Sequence, residues 1–354
     1  MAIEKKIDLE EAITSVQMPD GEESIEVEID DDVELEAAEA MGMFDNPEDS
    51  MMPEDHDANL AEMMDTADLQ NVANDLYDGY TRDKESRQEY DDIAEEGVTL
   101  LGFKDEQGDE PFPGACSATH PVLAQAVVKF QAKTYKELFP TEGPVRTRII
   151  GLDTMQKQEQ ANRVRQFMNW QTQIQMPEYG PELDRLLFYV SLYGTAFKKT
   201  YWDPTQQRAC TEFVKSSDFY VNYFASDLES AERYTHKYTL STNQVKKLQL
   251  AGMFRDLDVM ETSIEETGAT ESANEIVGSS KPGQEEDEVE ILEVHANIDL
   301  PGYENEDGLK LPYIVHMTTD EQVLSIRRNW DADDMLMKKK MYFTHYTMIP
   351  GLGF

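Results

Sequence analysis

Apolar positions along this chain change period once, from three to four residues before about position 194 to two after it. The first helical run begins at Asn59, a residue type suited to the N-cap, and Leu60, Met63, Met64, Leu69, Val72, Leu76 and Tyr80 mark one apolar side of it. Gly79 interrupts the pattern, a charged continuation reaches Glu96, and Gly97 supplies a stop. Residues 111–151, PFPGACSATHPVLAQAVVKFQAKTYKELFPTEGPVRTRIIG, form the most informative block. Thr119 suits an N-cap and Pro121 suits the first turn, where its missing N–H is harmless; Val122, Leu123, Ala126, Val127, Phe130, Leu138 and Phe139 then fall near helical spacing, so one face is expected to be buried. Pro140, Gly143 and Pro144 end this helix, and residues 145–150 alternate as a short strand does. A further helix is predicted over 153–175, capped by Asp153, with Val164, Phe167, Met168 and Gln171 along one side and Met176-Pro177 ending it. The next, over 181–193, carries Leu186, Leu187, Val190 and Leu192 and stops at Gly194. Connections this short predict antiparallel neighbours.

From Thr195 the pattern reads as strands at 197–202, 210–214, 219–223 and 233–240, with Asp203-Pro204-Thr205-Gln206 as a turn. Ser241 or Thr242 caps a short helix through Leu250, closed by Gly252. Strands at 289–298, 312–317 and 322–328 follow, the last two joined as a hairpin over Thr319-Asp320. Helices first and sheet later make an α+β fold.

Three regions follow: 1–58, 59–194 and 195–354. The first is rich in Glu, Asp and Met without a sustained period and is expected to be mostly disordered, with a coil span of about 40 Å. Within it Ile25, Val27 and Ile29 alternate with Glu26 and Glu28. A solvated acidic tail is the simpler reading of these residues; a strand added to a neighbour's edge is the other. The second region is mainly helical, and the third is β-rich with an acidic mobile insertion at about 256–288.

Charge sharpens this division. The formal net charge is −41 over 354 residues, yet residues 1–70 hold 24 acidic and 2 basic side chains, 71–110 hold 13 and 4, and 251–300 hold 14 and 2. Residues 111–250 are the reverse, with 13 acidic and 17 basic. A DNA-gripping protein covers phosphates with Lys and Arg. Here Lys198-Lys199, Lys246-Lys247 and Lys338-Lys339-Lys340 are short clusters that read as solvated faces, so tight DNA binding is not expected. A passage that lets a duplex slide needs repulsion, which acts over a Debye length of about 8 Å.

Candidate chemistry is sparse. Cys116 and Cys210 are too few and too far apart for a disulfide framework or zinc site, and read as reduced, buried thiols of a protein made in the cytoplasm. No run approaches a membrane span, and the start, MAIEKKIDLEEA, has no apolar signal region. Neither GxxxxGK[ST], HExxH nor GxSxG occurs. His56, His120, His236, His295, His316 and His345 are scattered and read as structural or exposed. Residues 83–96, DKESRQEYDDIAEE, lack the turn glycine of a calcium loop. No catalytic, cofactor-binding or metal-ligating residue is nominated and no cofactor is expected. A metal-dependent nuclease is the weakest alternative, because carboxylates this abundant coincide by chance. An acidic interaction protein or DNA mimic is the other, resting on the charge of residues 1–70.

One family gathers these pieces in order. NLAEMMDTADLQNVANDLYDGY, the segment Gly97-Val98-Thr99-Leu100-Leu101-Gly102-Phe103, the block at 111–151, DRLLFYVSLYGTAFKKTYWD with its turn from helix to strand at Gly194 to Lys199, residues 218–233 with Tyr223-Phe224-Ala225-Ser226-Asp227-Leu228, and Tyr342-Phe343-Thr344-His345-Tyr346 resemble the N-terminal half of portal proteins of tailed bacteriophages, especially the short-tailed type. The resemblance covers about residues 59–354 apart from the insertion. It implies a wing-like α+β fold in a non-catalytic ring, probed by no single motif but by many matches in sequence. The ring has about twelve copies at one capsid vertex, is a conduit for DNA packaging and ejection, and is the head–tail attachment point. It also implies the major capsid protein, the large terminase and a tail adaptor as partners, passing double-stranded DNA that is not tightly bound, and location in the virion after assembly in the host cytoplasm. Family members continue beyond a segment like Ile349-Pro350-Gly351-Leu352-Gly353-Phe354 into tunnel helices, clip and the returning wing, so the resemblance implies an N-terminal portion.

Overall fold

The structure, a computed structural model, describes residues 56–101, 112, 120–204, 206–222, 224–259, 288–305 and 308–349. The expectations for residues 1–55, for Thr119 and Cys116, for most of the 256–288 insertion and for the closing 350–354 lie outside the described residues. From His56 onward the chain forms one compact unit.

Asn59 does cap a turn, but a 3-10 turn, Leu60–Glu62. Its Oδ1 accepts the Ala61 N–H at 3.2 Å and the Ile326 N–H at 3.0 Å, while Nδ2 donates to the Leu324 carbonyl at 3.3 Å. One buried side chain thereby ties the start of the unit to the strand Val323–Arg328 at the edge of the larger sheet. The long helix α1, Thr66–Ser86, begins only after Asp65 and runs unbroken through Gly79. Arg87 separates it from α2, Gln88–Thr99, which passes the expected stop at Gly97. A helical glycine that meets no left-handed requirement has no reason to end a helix.

The helix α3, Val122–Leu138, packs on α5, Tyr179–Tyr193, through Phe130, Tyr135 and Phe139 against Leu183, Leu186, Leu187 and Val190. Only Ala124 and Val127 of α3 are fully buried; Val122 and Leu138, expected on the inner face, are exposed. Between them α4, Met155–Trp170, is capped by the Thr154 hydroxyl, which accepts the Lys157 N–H, and not by Asp153. It ends in a π turn, Gln171–Gln175, and buries none of its side chains. Gly194, at φ +80°, closes α5 in the left-handed conformation that glycine adopts without strain, and the chain turns into strand.

Strands β1 (Thr195–Asp203), β2 (Arg208–Val214) and β8 (Phe343–Thr347) form a three-stranded antiparallel sheet in the order β2-β1-β8. β3 (Phe219–Val221), β4 (Arg233–Ser241), β5 (Glu288–Ile298), β6 (Leu311–Thr318) and β7 (Val323–Arg328) form a second, antiparallel in chain order. A capping box at Ser241 and Gln244 starts α6, Thr242–Leu250. Strand β8 was not anticipated, because five residues give too little alternation to register.

The five-stranded sheet is covered on both faces. Leu292, Val294 and Ala296 of β5 point to one side, where Leu69, Val72, Ala73, Leu76 and Tyr80 of α1 bury against them with Tyr313, Val315 and Met317. Each fully buried Leu, Val or Met side chain among them contributes about 1.5–3 kcal/mol on burial. Val289 and Ile291 point to the other side, onto Val245 of α6 and Phe254. Phe219 and Tyr234 meet Phe197 and Phe343 of the three-stranded sheet there. Double coverage explains why both faces of β5 are buried from Val289 to Ala296, its Glu290 and Glu293 included.

Candidate functional site

A row of side chains crosses the five-stranded sheet on the face that meets the smaller sheet. Register places Phe219, His236, Glu293, His316 and Ser325 opposite one another on β3, β4, β5, β6 and β7. Glu293 is the centre. Its Oε2 takes the Lys199 ammonium, delivered from β1 of the other sheet, and the His236 Nδ1–H at 3.2 Å; Oε1 takes the His295 Nε2–H at 3.1 Å. The amide of Asn329 lies 3.5 Å from Nδ1 of His295, and Nδ1 of His316 lies 3.0 Å from the Ser325 hydroxyl. Phe343, Tyr201 and Tyr238 surround the ammonium within 6 Å.

Electrostatics follow from this geometry. Burial alone raises the Glu293 carboxyl, but Lys199 and the hydrogen bonds from His236 and His295 outweigh it and hold the group well below the usual carboxylate range. Burial pushes His295 down against the pull of Glu293, so the ring is neutral and its single N–H goes to the carboxylate. Burial likewise lowers His316, to about 4. Both carboxylate oxygens already accept from nitrogen donors, and His295 is fully enclosed. The cluster is therefore a lock between two sheets, with the charge of Glu293 compensated in place. Among the described residues no group of three or more His, Cys, Asp or Glu side chains is arranged to hold a metal ion.

A second feature lies on the surface. Residues 145–150 run beside α4, held by Val145 N–H to Asn169 Oδ1 at 2.8 Å, Asn169 Nδ2 to the Val145 carbonyl at 3.1 Å and the Thr147 hydroxyl to the Ala161 carbonyl at 3.2 Å. The strand expected here does not form: the backbone of 145–150 has no ladder partner among the described residues. A groove of about 330 Å³ between the two is lined by residues 147–150 on one side and by Lys157, Gln160, Ala161 and Val164 on the other. Val164, Phe167, Met168, Trp170 and Ile174 continue along α4 and its π turn uncovered, as do Ile150, Leu152 and Met155 before it.

No protein-family model matches the chain, and no curated protein matches it either.

The residues weighed in sequence separate in the structure. Three of the six scattered histidines, His236, His295 and His316, converge on Glu293. His56 lies edge-on to Trp330 at 5.6 Å, His345 stacks on Phe197 at 5.0 Å, and His120 is exposed. Lys198-Lys199 is not the solvated face it was expected to be. Lys198 sits 3.6 Å over the Tyr179 ring, lowered by burial to about 8, and Lys199 enters the lock. Lys339 donates to the Leu228 and Ala231 carbonyls and is also withdrawn from solvent. Lys246 remains exposed beside Asp256. Cys210 is free and buried, as its isolation suggested. The lock had one signal in sequence, the Glu293-Val294-His295 spacing that puts an acid and an imidazole on the same strand face as Val289 and Ile291. No helix among the described residues is long and apolar enough to cross a membrane.

Proposed function

We propose that this chain is a structural subunit, the wing-bearing part of a portal protein of a tailed, short-tailed-type bacteriophage. The observation that carries the reading is the uncovered apolar side of α4, where Val164, Phe167, Met168 and Trp170 are 41–59% exposed in a single copy. Contiguous apolar surface of this kind marks a face that another macromolecule covers. The ordered resemblance over residues 59–354 supplies the identity of the assembly: a ring of about twelve copies at one capsid vertex, closed by symmetry, through which DNA is packaged and ejected. In this reading the major capsid protein, the large terminase and a tail adaptor are its other partners, and the role is mechanical, not catalytic. The inter-sheet lock suits such a role, since a buried ion pair fixes two layers in one arrangement. An excess of acidic side chains, 72 against 31 basic, suits a passage that must not hold its duplex.

Native mass spectrometry of the full chain at micromolar concentration tests this. The expected result is a closed oligomer of about twelve copies, the symmetric closure that ends growth. A single mass of 40.5 kDa at every concentration overturns it.

A further inference from the structure

Two helices of this unit leave a face open, and the two faces carry opposite charge. α4 buries none of its side chains, and hydrogen bonds join it to residues 145–147 through Asn169 and the Ala161 carbonyl. A lone helix of 16 residues is marginal in water, so this one calls for a covering surface. Lys157, Val164, Phe167 and Met168 recur at i, i+7, i+10 and i+11, which sets them along one side of it. Lys157 and Arg148 are exposed and stand on opposite walls of the groove. Residues 145–170 hold five basic and two acidic side chains, in a chain with 72 acidic and 31 basic.

The other face belongs to α2, which holds five acidic side chains and no basic one. Away from its buried Val98, Ile93, Gly97 and the C-cap Leu100 recur at i, i+4 and i+7, with Glu89, Asp92 and Glu96 along one edge. Ile93 and Leu100 are 62% and 61% exposed, and these three carboxylates are open to solvent. Gly97 has no positive φ, and a Cβ there would meet no atom within 4 Å outside its own turn of helix. A helical glycine costs stability relative to alanine, and nothing within one copy calls for it. Close approach of a second helix does.

We infer that the open face of α4, with its groove, receives the open face of α2 from a second copy of this chain. Arg148 and Lys157 meet Asp92 and Glu96, and the bare backbone at Gly97 admits a bulky side chain of the α4 stripe. Both faces are open in one copy, so neither covers the other. Apolar side chains at the centre lose water, and the charges beside them set the register and reject like-charged partners. Each copy offers α4 to one neighbour and α2 to the other, a head-to-tail contact of the kind that generates rings. The inference rests on the reading that copies of this chain assemble, and it names the contact they use.

Sedimentation velocity on full-length chains tests it. The Arg148→Glu/Lys157→Glu variant and the Asp92→Lys/Glu96→Lys variant each set like charges against each other, and each is expected to self-associate at least about tenfold more weakly than the unaltered chain. Mixed in equal amounts, the two restore opposite charges at every contact, and association is expected to return. Gly97→Gln keeps every charge and adds a good helix former, so it is expected to raise the urea midpoint of the chain while weakening its association. All four charged side chains are exposed, and far-UV circular dichroism checks that each variant is folded. Unchanged association of either charge variant, a mixture that fails to associate, or a Gly97→Gln chain that associates like the unaltered one overturns the inference. If only the Arg148→Glu/Lys157→Glu variant fails, and duplex DNA shifts the sedimentation of the unaltered chain but not of that variant, nucleic acid is the occupant instead. Oligomers that form regardless of these substitutions leave the ring reading standing, whereas an unaltered chain that stays monomeric at every concentration overturns both.

Discussion

Lys199 and Glu293 carry the largest single-residue consequence in the fold, because each is the other's compensation in a buried layer. Lys199→Met leaves an ionised carboxylate without its cation, and a loss of about 3–5 kcal/mol in urea unfolding at pH 7 is expected. Adding Glu293→Gln is expected to recover part of it, since the amide oxygen still accepts one histidine N–H. The same cluster sets the response to acid. His295 and His316 are held below the ordinary histidine value, so the unfolded chain takes up protons first as pH falls. Stability from these two is fully present above the unfolded value of 6.5 and is lost as pH drops from there toward about 4, where His316 protonates in the fold. Glu293, held low, adds loss with the same sign below its ordinary 4.5. Urea midpoints are expected to fall steadily between pH 6.5 and 4, and His316→Gln to flatten that slope; a midpoint independent of pH in this window contradicts the assignment. Gly79 gives a third residue-level test. Arg233 forks onto Asp83, at 2.9 Å from both Nε and Nη2, and reaches the Gly79 carbonyl, so a Cβ on Gly79 would overlap its guanidinium. Gly79→Ala is expected to destabilise by about 1–3 kcal/mol. In an Arg233→Met background it is expected to stabilise by about 1 kcal/mol, the helix-propensity gain alone.

Among the elements, α4 stands apart from helices that are anchored by their neighbours. Replacing Val164 and Phe167 by Ser is expected to change unfolding free energy by no more than about 1 kcal/mol, since about half of each side chain is open in one copy, while reducing the assembled fraction in native mass spectra. A large loss of monomer stability contradicts the view of this face as an interface. The same helix marks where sequence stops being legible. Its Val164, Phe167, Met168 and Gln171 spacing was correctly helical, but periodicity reports that a face is apolar and not what covers it. Alternation at 145–150 likewise suggested a strand where none forms, because no neighbouring strand is there to pair with it among the described residues. By contrast the strands from β1 to β7 were legible almost residue by residue, because double-sided burial and turn chemistry at Asp203-Pro204 and Thr319-Asp320 act locally. Strand β8 and the lock were not, since both depend on pairing across long separations: Lys198 with Thr344, and Lys199 with Glu293. Gly79 misled for a related reason, its role being set by Arg233 at a distance of 154 residues.

From His56 onward the molecule joins layers tied by a buried ion pair to an open apolar helix face. α1 closes one side of the five-stranded sheet, the smaller sheet and α6 close the other, and the inter-sheet ion pair holds the layers together. That construction places the rigid layers and the uncovered α4 on one unit from His56 onward, an arrangement suited to a subunit whose work is to hold position among copies of itself. Negative-stain electron microscopy of the purified full chain is the most direct test. The account expects closed rings with a central opening wide enough for a duplex and about twelve-fold symmetry in the averaged end views. Fields of isolated particles of monomer size, unchanged by raising the concentration, contradict it.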